Sequence, residues 1–235
     1  MYIVFERKMK MKEQNMPEVK GYLRDFMLTV PQEIYACTGI KILGRRIKSL
    51  LFSTDAGIIR NTNADAVIAV YPFTPQPIIT QAVMTAADVP VFVGVGGGLT
   101  QGPRVVNLAL HAEYQGALGV VVNAPTKNEI ITELKKSIDI PVVVTVVSEH
   151  DDIESRIACG TDIFNVSAAA KTPEIVAKIK EKHPDFPVIA TGGQTGESIT
   201  ATINAGANAI TWTPPSNAEV FKDIMAAYRK GLPHP

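Results

Sequence analysis

Short β-branched runs recur along the chain, each followed by a segment with helical spacing, and this alternation restricts the fold more than any other feature. The runs are 47–54 (IKSLLFST), 65–73 (DAVIAVYPF), 89–95 (VPVFVGV), 118–124 (LGVVVNA), 140–149 (IPVVVTVVSE), 162–168 (DIFNVSA), 187–193 (PVIATGG) and 208–214 (NAITWTP). Between and after them lie segments such as PQPIITQAVMTAAD, GPRVVNLALHAEYQG, TKNEIITELKKSI, TPEIVAKIKEKH and NAEVFKDIMAAYRK, which carry apolar residues at helical spacing. Eight strand–helix units of about 23 residues each, with none left over, predict a closed (β/α)8 TIM barrel. An open doubly wound sheet shares the alternation but does not require eight units.

Punctuation at the junctions supports these boundaries. Thr126-Lys127-Asn128-Glu129 and Ser216-Asn217-Ala218-Glu219 fit the capping box, and Thr172-Pro173 fits an N-cap followed by proline. Gly116, Gly160 and Gly206 fall where helices should stop. Upstream, Val19, Tyr22, Leu23, Phe26, Met27 and Val30 share one face at helical spacing after Pro17, which predicts a helix covering the barrel's N-terminal end. Residues 1–16, crowded with charges and methionines, are expected to form a flexible leader outside the fold, and 17–235 a single barrel domain.

Composition narrows the class of partner. The chain has 235 residues, and its 23 basic side chains balance its 23 acidic ones, so it lacks the basic excess of a nucleic-acid binder. Cys37 and Cys159 are far apart and without ligand-spaced neighbours, which reads as two reduced thiols. No apolar run reaches the roughly 18 residues of a membrane span, and the N-terminus does not read as a signal peptide. A cytoplasmic location without membrane contact is expected. Self-association is compatible with the architecture, yet no sequence feature specifies an interface.

A barrel locates its function before identifying it, because barrel sites form at the C-terminal ends of the strands. Those ends here are polar: Ser53 to Asp55, Tyr71, Gly94 to Thr100, Asn123, Ser148 to His150, Asn165 and Ser167, Thr191 to Thr195, and Trp212 to Ser216. The stretches PVIATGG and ESITATINAGANAI resemble the C-terminal quarter of the phosphate-binding barrel superfamily, which includes the ribulose-phosphate-binding and thiamine-phosphate-synthase-like enzymes. The resemblance implies a phosphate held by backbone N–H groups and helix N-termini after the seventh and eighth strands. Gly192, Gly193, Ser216 and Asn217 are its implied ligands. Pro214 and Pro215 depart from the pattern, because they remove two N–H donors from the second loop. The glycine pair can equally be a plain strand-to-helix turn. The stretches AVYPFTPQP, VFVGVGGGLTQG and NVSAAAKTPEI are similar to those of bacterial barrel proteins loosely labelled hydrolases.

Further candidates come from residue chemistry. Glycine at four of the five positions 94–98 suggests close approach of a ligand to the backbone, which nominates Gly96 and Gly97 as substrate contacts, with Arg104 near an anionic group. Asn123 and Asn165 end strands in the register of the rim and can orient a hydroxyl or carbonyl. Asp55 and Glu149 follow strands on opposite sides of the barrel and are the candidate catalytic carboxylates, the more so if burial raises a pKa toward neutrality. Each can also be an ordinary acid at a helix N-terminus. Lys171 reads as a solvated loop lysine. No metal-binding motif is present and no cofactor is expected; Mg²⁺ held by carboxylates and a phosphate is the one alternative left open. The expected activity is isomerase- or lyase-type chemistry on a phosphorylated or otherwise anionic small molecule. The alternatives are a hydrolase with carboxylate-activated water and a non-catalytic metabolite sensor.

Overall fold

A parallel strand covered on both faces must bury every side chain, so neighbouring residues serve two different interiors. Leu50 and Leu51, or Val142 and Val143, show the division: one of each pair joins the cluster inside the barrel and the other the layer beneath the helices. The computed structural model describes Pro17, Val19, Gly21 and residues 27–234. Eight parallel strands, β3 (Ser49–Phe52), β4 (Ala66–Ala69), β5 (Val91–Gly96), β6 (Gly119–Val122), β7 (Val142–Val146), β8 (Ile163–Val166), β9 (Val188–Thr191) and β10 (Ala209–Trp212), close into a barrel. Closure runs between β10 and β3, where Thr211 pairs with Leu50. The expected (β/α)8 barrel is therefore present, and each of the eight sequence runs supplies one strand.

The connecting helices are α1 (Ala56–Arg60), α2 (Pro77–Ala86), α3 (Pro103–Tyr114), α4 (Asn128–Ser137), α5 (Ile153–Ala158), α6 (Thr172–Lys182), α7 (Gly196–Asn204) and α8 (Asn217–Arg229). Val105, Val106 and Ala109 of α3, Ile131 and Leu134 of α4, and Ile175, Val176 and Ile179 of α6 are buried in the outer layer. By contrast α8 buries none of its residues, and Phe221, Met225 and Tyr228 are exposed. A 3₁₀ helix over Gln32–Ala36 packs against α7 and places Ile34, flanked by Val30 and Cys37, in the outer layer. Among the described residues no helix is long and apolar enough to cross a membrane.

The bottom of the barrel is closed differently from the sequence expectation. Of the helix expected over 17–30, residues 18, 20 and 22–26 lie outside the described residues, as does the leader 1–16. Met27–Val30 are not helical: Leu28 forms an isolated bridge with Thr62, and the Val30 N–H donates to Asn63 Oδ1 at 2.8 Å. The closing element is an antiparallel hairpin, β1 (Ile40–Ile42) and β2 (Arg45–Ile47), whose Ile40, Ile42 and Ile47 join the interior cluster of Leu50, Ile68, Phe92, Val121, Val143, Ile163 and Ile189. Its two-residue turn puts Leu43 at φ 45° and Gly44 at φ 83°, the pair of positive φ values that such a hairpin requires. The residue just before a strand also stitches this end. Asp65 Oδ2 accepts the Lys48 and Ser49 N–H groups, Asp162 Oδ2 that of Val142, and Asn208 Oδ1 that of Val188.

The hairpin's contribution is measurable. Ile47→Ala should lower stability by about 2–4 kcal/mol in urea unfolding, the usual cost of a cavity left by a buried isoleucine. A loss below about 0.5 kcal/mol would show that the hairpin is an ornament on an independently stable barrel.

Candidate functional site

Along the inward-facing positions the barrel changes from apolar to polar within one step of two residues. Val121 is followed by Asn123, Val143 by Thr145, Ile163 by Asn165 and Ser167, Ile189 by Thr191, and Ala209 by Thr211 and Thr213. Because the side-chain period of a strand is two, these residues converge at the C-terminal end, with Phe52, Ile68, Val70 and Val147 between them. They line a cavity of about 310 Å³. A second cavity of about 230 Å³ shares Val70 and Asn123 with it and extends over Tyr71 to Pro75 and Gly94 to Thr100.

The mouth is uncharged. Its polar groups are amides and hydroxyls, and Tyr71 is the one titratable side chain among the described residues that line the mouth and the cavities beside it. Two of its buried groups lack partners: Asn165 Oδ1 and Thr211 Oγ1, on residues only 9% and 6% exposed. The Asn165 amide nitrogen lies 3.5 Å from Thr145 Oγ1, at the outer limit of a hydrogen bond. Sequence reasoning nominated Asn123 and Asn165, which the structure brings together here, and missed Thr145 and Thr211. The missed signal was the threonine two residues beyond an inward apolar position.

The other sequence candidates sit elsewhere or serve the fold. Asp55 is the N-cap of α1: its Oδ1 accepts the Gly57 and Ile58 N–H groups at 2.8 and 3.1 Å, and its Oδ2 accepts Asn217 Nδ2 at 2.6 Å. Glu149 lies on a groove between α5 and α6, paired with Lys171 at 2.7 Å and Lys178 at 3.1 Å. Hydrogen bonds from these two lysines hold its carboxyl at about 2, below the ordinary 4.5, which is opposite to the rise expected of a general base. Lys171 is solvent-exposed, as expected, and also pairs with Glu149. Arg104 occupies the first turn of α3, exposed and away from the mouth.

The glycines answer to packing within the chain. A Cβ on Gly96 would come within 2.5 Å of Val105 Cγ2, and one on Gly97, at φ 98°, within 2.5 Å of Asn123 Cβ. Gly97 therefore lets the loop lie against the strand end that carries Asn123. Gly192 is enclosed by Ile210 and Ile199, and Gly193, at φ 82°, faces Ser198. At the end of β10, the Ser216 N–H and hydroxyl both donate to Glu219 Oε2 at 2.7 Å, while Asn217 donates to Asp55. The expected capping box at Ser216 is formed, and it seats a carboxylate where the resemblance implied a phosphate. The α7 terminus is similarly furnished: Thr195 and Ser198 cap it reciprocally, and Glu33 Oε1 lies 2.5 Å from where a Cβ on Gly196 would be.

Comparison of the sequence with protein-family models and with curated proteins gives no match. Among solved structures, the chain is similar to phosphonopyruvate hydrolase in complex with oxalate and Mg²⁺, with TM-score 0.58, 12% identity, and coverage of 80% of this chain and 84% of that one. It is also similar to dihydrodipicolinate synthase from Bacillus anthracis (TM-score 0.55, 16% identity, 78% and 76% covered) and to mandelate oxidase (TM-score 0.61, 14% identity, 75% and 68% covered). What they share is the barrel. At these identities the likeness concerns the fold and not the reaction. As for Mg²⁺, the described residues contain no cluster of three or more carboxylate, His or Cys groups, and the mouth offers only neutral oxygens. This donor set does not fit a magnesium site, which uses at least one carboxylate.

Two outcomes follow. The Glu149 carboxylate stabilises the fold above its ordinary pKa of 4.5 and loses that contribution as pH falls toward 2, so the stability difference between wild type and Glu149→Gln should shrink across that window in urea unfolding. A difference independent of pH would refute the pairing. Gly97→Ala should destabilise the chain and perturb the Asn123 side-chain amide resonances, because both the positive φ and the contact oppose a methyl group.

Proposed function

We propose that this chain is a small-molecule enzyme whose substrate sits in the barrel mouth, with isomerase- or lyase-type proton transfer beside a carbonyl as its chemistry. The observation that carries the reading is the pair of buried, unpartnered groups, Asn165 Oδ1 and Thr211 Oγ1. Each such group costs about 1–3 kcal/mol when left unsatisfied. A ligand bearing hydroxyl and carbonyl groups recovers that cost by donating to the amide oxygen and bonding to the hydroxyl.

The remaining groups suit the same ligand. Amide and hydroxyl donors from Asn123, Asn165, Thr145 and Thr191 stand on rigid strand ends, and neutral donors fixed in this way stabilise an oxygen that gains negative charge during reaction. Tyr71 supplies a proton-transfer group: its hydroxyl oxygen accepts the Gln76 N–H at 2.9 Å, which fixes its direction and leaves its O–H free to donate. Support for an enzyme also comes from the solved neighbours, whose names are those of a hydrolase, a synthase and an oxidase. The hydrolase alternative loses its residues, since Asp55 and Glu149 are engaged outside the mouth. A sensor is the second reading, favoured by the single titratable group at the mouth.

A panel of small hydroxy- and oxo-compounds, each with and without a phosphate ester, tests both. Compounds that raise the melting temperature of the wild type should lose that effect in Asn165→Leu and Thr211→Val. Turnover followed by proton NMR should fall about 100-fold or more in Tyr71→Phe, with binding retained. Binding that survives both mouth substitutions overturns the site; binding without turnover selects the sensor.

A further inference from the structure

One expected helix cap is missing, and its absence opens a second site. Thr126 should cap α4 in a box with Glu129, but the N-cap of α4 is Lys127, and no side chain caps the helix. The Thr126 hydroxyl is left buried and unpartnered on a residue 3% exposed. Its carbonyl instead accepts from Arg156, which also bonds the Ala124 carbonyl and Asn128 Oδ1, so this turn is anchored from below. The neighbouring helix repeats the pattern. The N-cap of α3 is Gly102, again without a side-chain cap, and Thr100 just before it is 3% exposed with an unpartnered hydroxyl.

Both termini open on one cavity of about 400 Å³, lined by Thr100, Gln101, Gly102, Val105, Thr126, Lys127 and Ile130. Lys127 is its only charged wall residue and has no ion pair among the described residues. Glu129 stands in the same first turn of α4 but does not line the cavity. Two helix termini without side-chain caps, two residues with buried, unpartnered hydroxyls and one ammonium group therefore border a single volume. Orphan N–H groups and the positive ends of helix dipoles favour an anion. Thr100 also lines the cavity next to the mouth, so the two volumes adjoin through that residue.

We infer that the cleft between the α3 and α4 N-termini is an anion subsite that takes a phosphate group, and that the substrate of the mouth is a phosphate monoester whose ester end reaches it past Thr100. The second half of this statement rests on the mouth reading above; the first does not. The subsite lies after β5 and β6, on a different side of the ring from the β9 and β10 loops where sequence resemblance located a phosphate.

Inorganic phosphate, titrated into the ¹⁵N-labelled full chain, tests the subsite by itself. The Arg104, Asn128 and Glu129 amides should shift along one saturable curve. Thr126→Val and Lys127→Ala should each weaken phosphate about tenfold, the loss expected for one hydrogen bond or one charge to an ionised group. Lys127 is exposed, so its variant keeps the test sound if Thr126→Val folds poorly. Asn165→Leu should leave phosphate affinity unchanged while abolishing the effect of mouth ligands. Saturation absent at these amides, shifts at the α7 and α8 termini instead, or equal affinity in both subsite variants overturns the proposal. If phosphate binds here but glycerol 3-phosphate gains nothing over inorganic phosphate and is indifferent to Asn165→Leu, the subsite stands and its link to the mouth falls.

Discussion

Every strand of a closed parallel barrel must satisfy two interiors at once, and the rest of this structure depends on that constraint. Residues facing out meet the helices and, Ser49 at the start of β3 apart, are apolar, because the helical layer seals them. Those facing in are sealed only at one end. At the bottom, the isoleucines of the β1–β2 hairpin complete an apolar plug, while two residues further along β6 to β10 the inward series becomes Asn or Thr. The mouth thus arises where the apolar plug ends.

Charge is kept out of that mouth by being used around it. Asp65 and Asp162 join adjacent strands at the closed end, Asp55 starts α1 and holds the start of α8, and Glu149 joins the loop after β7 to α6 through two lysines. The Glu149 carboxyl, held low by its two lysines, is a poor proton acceptor at neutral pH. The mouth is then lined by amides and hydroxyls, and among the described residues lining it and the cavities that adjoin it, net charge enters beyond Thr100, where Lys127 and two helix termini meet.

The barrel was legible in the sequence because alternation is a property of periodicity, which side-chain burial enforces locally. The hairpin was not. IKI and RRI are too short to show a period, and the turn residue Leu43 lacks the usual turn chemistry, so its positive φ is dictated by the surrounding fold. For the site, Asn123 and Asn165 were recognised as amides ending strands, whereas Thr145 and Thr211 looked like ordinary β-branched strand residues. Asp55 and Glu149 are engaged outside the cavity; position at a strand end does not reveal which way a side chain turns. Their partners, Asn217 and Lys178, are distant in sequence. The glycines of 94–98 did signal close approach, but what approaches the two at 96 and 97 is Val105 and Asn123.

The plugged base gives the molecule the topology of a cup. Access to it is single file: whatever enters the mouth must leave by the same doorway, so one occupant of the rim blocks another. Any group that bends over the doorway would govern arrival and departure together.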